Sequence, residues 1–566
     1  MSVRPGAAAR EPVAGSFLAS LESGRLDWNT LHPFPTPDTT SGAVADALIK
    51  EITASVTAEV DPEQTDLRGT LPPGLIGRLR DDGWFRLRNA SAVGGHELSD
   101  YDAFRLIERV CAISLPVGQT LAVQNAVGAA ALLAALPDGP LRAKVERRIA
   151  EGTVSGFAGT EPQGANNVWP GTTAVPTPDG SGYLLDGEKV FTGNGDIADL
   201  LAVLATVPEE GRRRVGVFFV DTTDPGFRVR SRLEFMGGHG LHNAALALEG
   251  VRVPREDALL GDLDVPRFPP PVGSIALLSA LFFNAAPALA IARQCQEWSV
   301  AFVARRNING RPLGEYDQIQ RMLATTAAEV FAMDTVMRWC LLDSGLTDRW
   351  FERSVAKNLC TVTAWRIVDR TMSLLGGEGF ETARSKRRRG AEPLPLERLF
   401  RDARGLRISG NVDFLLDIQS ARLLLAGRYT GGPARAAGES GAGEDGTGEP
   451  RDTGLSPVNQ AHLRAAEQGL RRFERVCGRL IAAHPDPDTL FARQETLRLL
   501  GRISAELFAM CAVLARVTSE PSDVRAELAA VHCTAARHRL AGLWRRLAVS
   551  EEPDHAKVSA SLAAHH

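Results

Sequence analysis

The chain has 566 residues, 44% of them hydrophobic and 23% charged, which is too long for one hydrophobic core and too apolar for disorder. Sixty-four basic against sixty-eight acidic side chains give a formal charge of −4, so no global positive field exists to hold a nucleic acid. Seven cysteines without a C-x-x-C pair argue against a disulfide framework or a zinc ribbon and fit a reducing, cytoplasmic setting.

In chain order, an extension (1–42) without the apolar stretch of a signal peptide precedes a segment of helical periodicity, 43–150. There Ser99 offers an N-cap ahead of Tyr101-x-x-Phe104-x-x-Ile107. Between 151 and 265 the texture changes to short Val-, Leu- and Phe-rich runs, such as 201–207 and 215–220. Turn formers separate them at 178–182, 186–187 and 224–226, which predicts a β domain. Helical spacing returns over 266–426 as a bundle, whose longest apolar run, Ile275 to Ile291, reads as a buried helix rather than a membrane span. A Gly-rich stretch, 427–454, predicts a flexible linker, and 455–566 predicts an appended helical domain.

The motifs inside this frame are more specific than the frame. They are Gly159-Thr-Glu-Pro-Gln-Gly164, Tyr183-Leu-Leu-Asp-Gly-Glu-Lys-Val-Phe-Thr-Gly-Asn194, Met236-Gly-Gly-His-Gly240, Arg305-Arg306, Leu375-Gly-Gly-Glu-Gly-Phe380 and Glu397-Arg-Leu-Phe-Arg-Asp-Ala-Arg404. In this order they resemble the acyl-CoA dehydrogenase family from about Pro72 to Arg422, and the appended domain is similar to the extra helical domain of its very-long-chain members. The resemblance implies an α+β fold with an N-terminal helical domain, a middle β-barrel domain, a C-terminal four-helix bundle and the appended domain. It also implies FAD as cofactor and an acyl thioester as substrate. Phe157, Gly159 and Thr160 are implied to touch the isoalloxazine, with Phe191, Gly193 and Val412 beside it. Arg306, Gly376 and Gly377 are implied to bind the pyrophosphate across a subunit interface, in a homodimer or dimer of dimers. Taken singly, Gly376–Gly379 reads as a helix C-cap, Thr-Glu-Pro as a turn, and the basic run 384–389 as a solvated loop. His239 and His242 lack a third ligand, so no metal site is expected.

The chain departs from the family where the reaction would occur. Members carry a catalytic Glu either in an Ile-Tyr-Glu-Gly-Thr context or on an earlier helix. Here the first context reads Ile408-Ser-Gly-Asn-Val412, with Gly410 at the Glu position, and the second falls near Ser279-Ala280-Leu281. Abstraction of an α proton needs a base, and Asp413 is the nearest replacement: were this stretch helical, 410 and 413 would share a face. Its plain alternative is a polar residue at a helix start. At the substrate end Asn166, Gln124, Gly410 and Asn411 replace family residues. The expectation is an FAD-dependent oxidoreductase for a specialised acyl thioester, on coenzyme A or an acyl carrier protein, passing electrons to an electron-transfer flavoprotein or oxygen. A flavin monooxygenase of the same fold and a catalytically silent partner subunit are the alternatives.

Overall fold

A computed structural model describes residues 15–165, 167–266, 269, 272, 277–342, 349–429, 453–548 and 555–564. Its chain forms two compact units, residues 1–7 with 35–413 and residues 8–34 with 414–566. The division differs from a reading in chain order, because 8–34 and the helix after 413 cluster with the C-terminal helices. Of the expected linker, 430–452 lie outside the described residues.

In the first unit, helices α1 (Thr39–Glu59), α2 (Asp100–Ile113) and α3 (Leu115–Ala126) precede the β domain. The Ser99 hydroxyl accepts from the Asp102 N–H, the expected cap of α2. The eight strands are β1 (Ser155–Ala158), β2 (Thr173–Pro176), β3 (Gly182–Gly193), β4 (Leu200–Glu209), β5 (Arg212–Asp221), β6 (Phe227–Arg232), β7 (Asn243–Pro254) and β8 (Ala258–Leu260). They join in the order β6-β7-β3-β2-β4-β5-β8, and β1 pairs in parallel with β4.

The unbroken apolar run of β4 follows from burial on both faces. Leu200, Ala202 and Leu204 pack with Leu132, Leu141, Val145 and Ile149 of the helical domain. Leu201, Val203 and Ala205 pack with Tyr183, Leu185, Leu246 and Val251 inside the sheet. After the sheet come α4 (Ala286–Arg305), α5 (Asp317–Leu342), α6 (Trp350–Leu375) and α7 (Leu396–Leu406), all in the first unit. The helix running from Leu277 through Arg305 is long and apolar enough to cross a membrane, yet 78% of its most apolar window is buried within the protein.

In the second unit the helix Asp413–Tyr429 (α8) leads to α9 (Pro457–Ala483), α10 (Gln494–Ser519) and α11 (Asp523–Ala548). The core of this unit is α10, buried along Leu507–Ala515, with the Phe508 ring 5.2 Å from that of Phe17.

Two polar knots hold the turns that border the first unit's cleft. Glu161 and Lys189 are both buried, their ion pair spans 2.8 Å, and Glu161 also accepts from the Gly171 and Thr172 N–H groups at 2.6 and 2.8 Å. Burial pushes the Lys189 ammonium down; it also opposes ionisation of Glu161, but the Lys189 and Thr172 hydrogen bonds hold that carboxyl below its ordinary range. The second knot fastens the 236–240 loop: the Gly238 N–H donates to Asp402 at 2.7 Å, His239 Nδ1 lies 2.8 Å from the Asp66 carbonyl, and Arg401 pairs with Asp66 at 2.8 Å.

Replacing Glu161 by Gln leaves Lys189 a buried charge without its counter-ion and is expected to cost about 3–5 kcal/mol in denaturant unfolding. Burial pushes the Asp402 carboxyl up to about 6, so the folded state binds the extra proton, and stability falls as pH rises from about 4 to 6. Asp402→Asn removes that fall while keeping an acceptor for Gly238. Unfolding free energies at pH 5 and 7.5 should therefore lie closer together in the variant than in the wild type, by roughly 1.4 kcal/mol.

Candidate active site

The parallel pairing of β1 with β4 brings the Phe157–Thr160 edge beside the end of β3, where the Val190 N–H donates to the Thr160 carbonyl at 2.9 Å. The next residue, Phe191, sits at a register shift in the β3–β7 pairing with φ 57°, left-handed backbone that an aromatic residue adopts only against strain. Its ring is 58% exposed, although such a side chain is ordinarily buried. Asn194 (φ 58°) anchors the turn from inside, its buried Nδ2 donating to the carbonyls of Thr120 and Ser155 at 3.2 and 3.3 Å. Phe157, Gly159 and Thr160 are half-buried along this edge, as is Gly193. The structure thus gathers Phe157, Gly159, Thr160, Phe191 and Gly193 into a half-open wall for a flat ring.

Next to the expected pyrophosphate residue Arg306, Arg305 is occupied by Glu378 and Glu392. Arg306 is exposed and makes no ion pair among the described residues; its guanidinium lies 5.4 Å from the Phe302 ring centre. Gly376 caps α6 with φ 60° and ψ −133°, a conformation essentially reserved to glycine, and no heavy atom lies within 4 Å of a Cβ built at Gly376 or Gly377. The C-cap reading and an open backbone able to receive a phosphate are therefore both present at one turn.

The two positions where a base was sought meet each other. A Cβ at Gly410 would lie 3.4 Å from the Cβ of Ala280, so both family base sites border one point and neither supplies a carboxylate. Gly410 (φ 62°) and Asn411 (φ 75°) are left-handed, so the expected helix through 410 and 413 is absent and the two residues share no helical face. Asp413 begins α8 instead, and the Arg407 guanidinium holds its carboxylate, Nε to Oδ2 at 2.8 Å. The polar helix-start reading therefore describes Asp413 better than the base reading.

Gln124 is likewise corrected. It is buried, and its amide is spent on Ser155, from whose N–H and hydroxyl it accepts at 2.5 and 2.9 Å, and on the Thr153 carbonyl. It ties α3 to β1. Asn411 accepts from Lys357 through its carbonyl at 2.7 Å, Val412 is half-buried beside it, and Asn166 lies outside the described residues. The basic run is largely consumed internally: Lys386 donates to the Leu394 carbonyl, Arg387 pairs with Glu63, and Arg389 pairs with Glu381. His242 Nδ1 contacts Asp196 at 2.8 Å, and among the described residues no group of His, Cys, Asp and Glu could hold a metal.

One site residue escaped the sequence reading. Asn284 is fully buried in a π turn, Leu281–Ala285, where the Ala286 N–H reaches back to the Leu281 carbonyl. Pro287 accounts for the turn, because it has no N–H to give the Phe283 carbonyl one helical turn back; that carbonyl accepts from Gln119 Nε2 at 3.1 Å instead. The Asn284 Nδ2 lies 2.8 Å from the position of a Gly410 Cβ, and the Ser409 hydroxyl donates to Asn284 Oδ1. A polar residue and a proline three apart inside an apolar helical run were the available signal.

Comparison with known proteins agrees with this geometry. Residues 156–251 match the acyl-CoA dehydrogenase middle domain and residues 282–424 the acyl-CoA dehydrogenase C-terminal domain. The chain is 29% identical to the probable acyl-CoA dehydrogenase FadE10 of Mycobacterium tuberculosis, covering 94% of this chain and 86% of that protein. It is 26% identical to the very long-chain specific acyl-CoA dehydrogenase of Bos taurus mitochondria, over 90% of this chain and 80% of that one. A crystal structure of an acyl-CoA dehydrogenase complexed with FAD from Bacillus anthracis superposes with a TM-score of 0.75 at 18% identity, covering 97% of this chain and 94% of that chain. With the fold, the ordered motifs and these relatives in agreement, the chain belongs to the acyl-CoA dehydrogenase family.

Proposed function

We propose that the chain is an FAD-dependent oxidoreductase that oxidises an acyl thioester at Cα–Cβ, or carries out a close variant of that reaction, without an internal carboxylate base. The observation that carries the reading is the exposed Phe191 ring, held in left-handed backbone beside the Thr160 edge, where only a flat partner would repay the strain. The residues fit FAD: Phe191, Gly159 and Thr160 offer a wall, and Arg306 with the open Gly376–Gly377 backbone offers a cation and close approach for a pyrophosphate. Bound there, FAD supplies a hydride acceptor. The chain's own part is to bind and orient the thioester against that wall and to exclude water. Proton removal at Cα is left to solvent or to the substrate itself, since neither Ala280 nor Gly410 offers a carboxylate. In this reading one flavin site is shared between Arg306 of one copy and the Gly376 turn of another, in a homodimer, and an electron-transfer flavoprotein or oxygen would take the electrons. An altered base site favours a specialised acyl group, on coenzyme A or a carrier protein.

The purified protein is expected to carry visible flavin absorbance and to bleach on anaerobic addition of an acyl thioester; a colourless protein that takes up no added FAD overturns the reading. Ala280→Glu places a carboxylate on ordinary helical backbone facing Gly410 and is expected to raise exchange of the thioester α proton with deuterated solvent by about 10²-fold. Gly410→Glu should gain less, because its φ of 62° strains a side chain and its Cβ would crowd Asn284.

A further inference from the structure

Where family members place a carboxylate, this chain places an amide. The atoms of a glutamate carboxyl lie about 2.5–3.8 Å from its own Cβ, as C–C bonds of about 1.5 Å dictate. Asn284 Nδ2, at 2.8 Å from the Gly410 Cβ position, therefore falls in the volume such a side chain would sweep. The exchange replaces a hydrogen-bond acceptor and base with a donor.

That donor is buried and has no partner, although Asn284 Oδ1 accepts from Ser409. Leaving a buried N–H unsatisfied is costly, and native structures rarely do so without a ligand, a water or a catalytic reason. Outside residues 409–411, the atoms nearest the Gly410 Cβ position after Nδ2 are Cβ and Cα of Ala280, at 3.4 and 3.7 Å, and neither accepts a hydrogen bond. The π turn forced by Pro287 fixes the amide there, and such turns recur at functional sites. The partner of Nδ2 is thus to be sought in a bound molecule.

We infer that Asn284 is a specificity-determining residue whose Nδ2 donates to an oxygen substituent on the acyl chain, at Cα or Cβ of the thioester, so that the substrate class is an oxygenated acyl thioester rather than a plain fatty one. This rests on the acyl-thioester reading above. A hydroxyl, alkoxy or carboxylate oxygen at that place would satisfy the donor, whereas a hydrocarbon chain would leave it unpaired. A glutamate there would offer an oxygen substituent a second acceptor and, to a carboxylate, a like charge.

The test uses the flavin-loaded enzyme and pantetheine thioesters, the arm common to coenzyme A and carrier proteins. Binding of butanoyl, 2-hydroxybutanoyl and 3-hydroxybutanoyl pantetheine is measured anaerobically by calorimetry and by perturbation of the flavin spectrum. Wild type should bind one of the hydroxylated thioesters about 3- to 10-fold more tightly than the plain one, the range of a single neutral hydrogen bond. Asn284→Ala should lose that preference while keeping its affinity for the plain chain. Asn284→Asp preserves the shape but not the donor and should lose the preference too, which guards against a folding defect in the alanine variant. Equal binding by wild type, or a preference surviving in both variants, overturns the inference and leaves the wider reading standing. Failure of all three thioesters to bind a flavin-loaded protein overturns both.

Discussion

The burial of β4 on both faces constrains everything around the site. A strand with Leu200, Ala202 and Leu204 packed against helices and Leu201, Val203 and Ala205 packed into the sheet has only one register, since a slip of one residue would exchange the two sets of partners. β1 pairs in parallel with that strand, so Phe157–Thr160 are located to within one residue beside β3. Gln124 then needs to hold only one further point, Ser155, to carry the helical domain along with it. The Glu161–Lys189 pair locks the following turn at the cost of two desolvated charges.

Beyond this rigid wall, the stretches around 410 and 284 are built from exceptions. Gly410 and Asn411 occupy left-handed backbone, as Phe191 does within the wall itself, and Asn284 sits in a π turn. Each departs from ordinary local preference. Strain of this kind persists only where surrounding packing over-determines it, and it is a recurrent feature of sites that must hold something other than protein.

The second unit is plainer. Its helices bury ordinary apolar faces around α10, and the arginines along α9 at 464, 471, 472, 475 and 479 are exposed, as the helical spacing of its apolar residues requires.

Much of this could be read in the residues themselves. The order of helical and β segments, the Ser99 cap and the apolar run of β4 follow from local spacing and composition, because burial imposes a period on each element separately, whereas the flavin-side motifs were legible only through their resemblance to a family. That neither Gly410 nor the stretch 279–281 carries a Glu was equally plain. The roles of Gln124 and Asp413 were not, for their partners, Ser155 and Arg407, are chosen by packing and leave no trace in the flanking residues. Asn284 marks the limit most clearly. The chain by itself showed an asparagine interrupting an apolar helix; only the folded arrangement, joining it to Ser409 across 125 positions, decided that one face of its amide is satisfied and the other is not. Hydrogen-bond satisfaction is a property of the three-dimensional neighbourhood, and no pattern along the chain encodes it.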